Sequence, residues 1–89
     1  MKTQLENQIR DSLRDRWPDI KINVYKIEEH WIALDAVSES FAPPYYEHLD
    51  EILKELDDKQ PSWYRENAVS ICPVTPDIFE GRVKEEGDL

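Results

Sequence analysis

Cysteine, glycine and long apolar runs are all scarce in this chain. A single cysteine, Cys72, excludes an internal disulfide and any metal cage built from several thiolates. It fits a reducing compartment, so a cytoplasmic setting is the expectation. The two glycines, Gly81 and Gly87, both stand close to the end, and no GxxG clamp for a nucleic-acid backbone is present. No apolar run approaches the roughly 20 residues that a membrane-spanning helix needs. None follows the opening MKTQLENQIR, so no cleaved secretion signal is expected either.

Cations are also few, with 11 Lys and Arg against 20 Asp and Glu in 89 residues, giving a formal net charge of -9. Such a surface repels phosphate backbones and anionic membranes, so direct nucleic-acid binding is disfavoured. Tyr25 and Trp31 are candidate base-stacking aromatics, but no ring of cations surrounds them on the same segments. The plain reading of the charge is that it keeps a small protein soluble. Its distribution points further. Residues 1–27 hold four acids and six bases, and residues 59–89 hold six acids and four bases. The middle segment, 28–58, holds ten acids and one base, Lys54, for a local balance of -9. Gathered on one face, those acids make a negative field that attracts a basic partner.

What is present organises as one small domain, because the length leaves too little interior for two. Leu5, Ile9, Leu13 and Trp17 recur every four residues, which predicts a helix from about Thr3 to Trp17. Thr3 and Glu6 have the spacing of a capping box, and Pro18 ends the helix. Ile20, Ile22 and Val24 then alternate with polar residues as in a strand. A tight connection at Glu28-Glu29 leads into a second strand, HWIALDAV, apolar on both faces as a central strand is. After SESFAPP, Pro44 suits a helix's first turn. The stripe Tyr45, Leu49, Ile52, Leu53, Leu56 carries that helix to about Lys59.

Gln60-Pro61-Ser62 breaks the pattern, and Trp63 to Asn67 suits one short turn. AVSICPV, residues 68–74, is a third strand, which Pro73 places at an edge or at its own end. Thr75-Pro76 resembles a helix start, with Gly81 expected to end the turn. The fold class is therefore α+β, in the order α-β-β-α-β with a short C-terminal helical turn. The expected architecture is a three-stranded antiparallel or mixed sheet with two helices on one face. Residues 1–81 form the compact domain, and 82–89 are expected to fray as an acidic tail.

No family motif emerges, so function rests on residue chemistry. Cys72 has no histidine close in sequence and reads as a packed thiol. Catalysis needs a nucleophile or an acid–base pair held in geometry, and abundant carboxylates alone do not supply one, so an enzyme is not expected. A metal reading draws on His48 with Glu51 and Glu55 at helical spacing, and on His30 after Glu28 and Glu29. It has neither an HExxH pair nor a calcium loop, and no cofactor is expected. Mimicry of a nucleic-acid duplex by carboxylates is a further alternative.

Protein binding accounts for most of these features. Aromatics make up 10% of the chain and cluster on both sides of the acidic helix, at Phe41 to Tyr46 and at Trp63-Tyr64. The expected contacts are Tyr46, Glu47, Asp50, Glu51, Glu55, Asp57 and Asp58 with Trp63 and Tyr64. Burial of rings would supply affinity, and charge would supply orientation. The corresponding function is that of a regulator, inhibitor, immunity-type factor or adaptor acting on a basic protein surface. A homodimer, if formed, is expected through the sheet or the first helix, because like-charged acidic faces repel.

Overall fold

The computed structural model describes the backbone of residues 2–87 and the side-chain surroundings of residues 2–81. Four helices and three strands follow in the order α1 Lys2–Leu13, β1 Lys21–Glu28, β2 Trp31–Val37, α2 Tyr45–Lys59, α3 Ser62–Arg65, β3 Ala68–Val74 and α4 Pro76–Gly87. A 3-10 turn at Glu39–Phe41 lies between β2 and α2. The sheet is mixed, with β2 in the centre, β1 antiparallel to it and β3 parallel to it. Parallel pairing needs a long crossover, and α2 with α3 provides it.

Alternation on β2 decides where the core sits. Ile32, Leu34 and Ala36 face Ile9 and Leu13 of α1, Ile52 and Leu56 of α2, and Trp63 of α3 in one buried cluster. Leu13 and Leu56 are completely buried, and each contributes roughly 1.5–3 kcal/mol by leaving water. The opposite face of β2 is closed as well, since Ala33, Asp35 and Val37 are also buried. Neither face of this strand is left open.

Several element ends differ from the sequence pattern. α1 stops at Leu13, not Trp17. The N–H groups of Arg16 and Trp17 both turn back to the Leu13 carbonyl, at 3.2 and 3.1 Å. Proline restricts the residue before it, so the chain leaves the helix ahead of Pro18, yet Trp17 still enters the core. The Thr3–Glu6 capping box is not formed. α1 begins at Lys2, and Glu6 Oε2 instead accepts the backbone N–H of Val24 at 2.8 Å.

The hairpin turn is Glu29-His30 rather than Glu28-Glu29, with His30 in the left-handed region at φ 63°. A bulge at Tyr25 breaks the register of β1 between Val24 and Lys26. Pro44 caps α2 from outside, one position before its first turn. α4 continues through Gly81, where its end was expected, to Gly87. The expectation of a frayed tail concerns residues 82–89, whose side chains lie outside the described residues, as do residues 88 and 89 altogether.

Candidate functional site

α2 carries most of the acids in question, and its neighbours divide them into two groups. Its flank toward α1 is engaged. Arg16, just past α1, places its guanidinium 3.4 Å from Glu51 and 4.0 Å from Glu55. Lys59 reaches Glu55 at 3.2 Å and Asp15 at 3.4 Å, and donates to the Ser12 carbonyl at 2.7 Å. Burial pulls the Lys59 ammonium pKa down, but Glu55 and Asp15 outweigh it and hold the value above the usual lysine range. Glu51 and Glu55 therefore join helices before they are available to anything else.

The outward face of α2 is different. Glu47, Asp50 and Asp58 are exposed and form no ion pair among the described residues. Tyr46 is 73% exposed and Tyr45 36%, both in the first turn of the same helix. Residues 46, 47, 50, 54, 57 and 58 recur at three- and four-residue spacing and so share a face. Lys54 sits in the middle of that face.

The two remaining expected contacts are placed inward. Trp63 is only 5% exposed, lies in the core, and donates its indole N–H to Ser12 Oγ at 3.0 Å. It cannot anchor a partner without unfolding α3. Tyr64 is half-buried, stacks edge-on against Trp63 at 5.9 Å, and donates its hydroxyl to Asp57 Oδ1 at 2.6 Å. That hydrogen bond, with burial and the Asp57 charge, pushes the phenol pKa up. Asp57 is thus occupied too.

His48 is turned away from the carboxylates of its helix. Its Nε2 donates to the Ala42 carbonyl at 2.6 Å, and its ring lies 5.6 Å from Phe41. His30 sits at the hairpin tip beside Glu29. Among the described residues no three His, Cys, Asp or Glu side chains are grouped to hold a metal ion. Cys72 is half-buried on β3, in register with Asp35. No helix among the described residues is long and apolar enough to cross a membrane.

One polar cluster has no counterpart in the sequence pattern. Asp19, in the loop after α1, accepts the Ser38 hydroxyl at 2.8 Å and the Glu39 N–H at 3.0 Å. These bonds outweigh the slight loss of water around the exposed carboxyl and hold it below the usual range. Ser38 also accepts from the Ser40 N–H and caps the 3-10 turn that delivers Phe41 to the core. Asp19 and Ser38 are joined only by folding, so no local spacing announces the pair.

Compared with known proteins, the chain matches no family model, no curated relative and no solved structure. Function therefore has to be argued from the surface itself.

Proposed function

We propose that the protein acts by binding another protein, presenting the outward face of α2 to a basic surface. The observation that carries this reading is the grouping on one helix face of exposed Tyr46 with Glu47, Asp50 and Asp58, acids that form no ion pair among the described residues. Carboxylates set the approach of a cationic partner, and the tyrosine ring loses water on contact. Glu51 and Glu55 belong to the scaffold of this face through Arg16 and Lys59. Trp63 and Tyr64 support it from below, and Asp57, exposed at its edge, is held by the Tyr64 hydroxyl. A regulator, inhibitor or adaptor is the class of protein that uses such a surface.

The test compares the native chain with Glu47→Gln, Asp50→Asn and Asp58→Asn combined, which leaves the α1–α2 ion pairs intact. A partner captured from lysate at low salt should be held about tenfold less by the variant, and less by both proteins at high salt. Equal capture by the two proteins sinks the reading.

A further inference from the structure

β1 is an edge strand, and it displays two of the four large apolar side chains that stand exposed among the described residues, Tyr25 at 59% and Ile27 at 53%. Edges of this kind invite pairing with other chains, and they are commonly guarded by charges and bulges. Here Lys21, Lys26, the bulge at Tyr25 and the Glu6 carboxylate on the Val24 N–H all occupy this strand. They oppose pairing in general. One register, however, is compatible with its charges and apolar residues.

The strand reads KINVYKIE. Laid antiparallel against itself, it sets Lys21 opposite Glu28 of a second copy, Ile22 opposite Ile27, Asn23 opposite Lys26 and Val24 opposite Tyr25. Two-fold symmetry repeats each pair, so both ends carry opposite charges, an Ile22–Ile27 pair lies just inside each end, and the polar Asn23–Lys26 pairs lie between these and the central Val24–Tyr25 pairs. In a regular strand this register fails, because Ile22 and Ile27 are an odd number of positions apart and face opposite sides. The bulge removes that conflict. Ile22 pairs with Ala36 and Ile27 with Ile32, so both lie on the helix-covered face of β2. Lys21 pairs with Val37 and Glu28 with Trp31, so both lie on the other face.

Backbone direction agrees. Val24 points its N–H outward to Glu6, and Ile22, two residues before it, points the same way. Glu28 and Trp31 flank the two-residue turn and bond each other, which leaves the groups of Ile27 facing outward. Ile22 and Ile27 are therefore the residues able to exchange hydrogen bonds across the two edges. An open groove of about 250 Å³, lined by Glu6, Asn7, Arg10, Ile20, Lys21 and Ile22, leaves the start of the strand approachable. Residues 1–27 are also the part of the chain with a surplus of bases, so this contact keeps acidic repulsion low.

We propose that a second copy of the chain adds antiparallel along β1 in this register, joining the two sheets across a two-fold axis. The contact is separate from the face of α2.

Sedimentation equilibrium of the full chain between about 10 µM and about 1 mM should show a monomer–dimer equilibrium. Lys21→Glu places like charges opposite Glu28 at both ends and should weaken the dimer about tenfold. Adding Glu28→Lys to it restores opposite charges and should return the dimer to within about threefold of native. Ile27→Lys should abolish association while circular dichroism stays native. Neutralising Glu47, Asp50 and Asp58 should leave the dimer unchanged, which separates this contact from the α2 reading. A native chain that stays monomeric throughout, or a Lys21→Glu defect that the second swap fails to repair, overturns the proposal.

Discussion

Asp19 sits in the loop between α1 and β1, and its two oxygens accept hydrogen bonds from donors that follow β2. One of those donors, the Ser38 hydroxyl, is buried. Asp19→Ala removes the acceptor and leaves that hydroxyl without its partner, which should lower stability by about 1–2 kcal/mol in urea unfolding at pH 7. Asp19→Asn keeps one acceptor and should lose less. The pH dependence has a definite sign. The carboxyl is held below its ordinary value of 3.8, so its contribution is present above that pH and disappears as pH falls through the folded value. The gap between native and Asp19→Ala should therefore close in acid. A gap that stays constant to pH 2 is incompatible with a charged Asp19 as the cause. His30 gives a second residue-scale expectation. At φ 63° its side chain is strained and glycine is not, so His30→Gly should raise stability by about 0.5–1 kcal/mol in the same assay.

The clamp between α1 and α2 is the clearest case at the level of elements. Lys59 ties Glu55 of its own helix to Asp15 and to the Ser12 carbonyl beyond it, and Tyr64 holds Asp57 on the α3 side. The pKa values of both groups are raised, from ordinary values of 10.5 for Lys59 and 10.0 for Tyr64. Below those values the contributions are complete; they fade as pH rises through the folded ones. Urea midpoints should therefore fall above about pH 10, and the fall should be shallower in Lys59→Met and in Tyr64→Phe. Midpoints that drop equally in all three proteins would point to other groups.

Elements of this kind were only partly legible in advance. β3 runs from Ala68 to Val74, as alternation and Pro73 indicate, and α2 follows its apolar stripe from Tyr45 to Lys59. The same four-residue spacing carried α1 too far, because Trp17 reaches the core from a turn and not from a helix. The Tyr25 bulge and the parallel pairing of β2 with β3 depend on contacts between distant segments. Local periodicity does not encode them.

Across the whole molecule, charge and burial answer different questions. The concentration of acids in 28–58 is visible in the sequence, but which of them remain unpaired is not. Arg16 and Lys59 arrive from other parts of the fold to engage Glu51 and Glu55, and packing alone places Trp63 inside and Tyr46 outside. What remains is a chain of net charge -9 whose exposed ion pairs contribute little individually. Self-repulsion among the unpaired acids then outweighs the attraction that salt would screen. Raising NaCl from about 0.02 M to about 0.5 M shortens the screening length several-fold and should raise the thermal midpoint by a few degrees. The variant neutralised at Glu47, Asp50 and Asp58 should start with a higher midpoint and respond less to salt, because part of the repulsion is already gone. Differential scanning calorimetry at a fixed low protein concentration reads both effects. A midpoint that falls with salt would mean that the α1–α2 pairs dominate the electrostatics. In that case the outward face of α2 is too weakly charged to steer a partner.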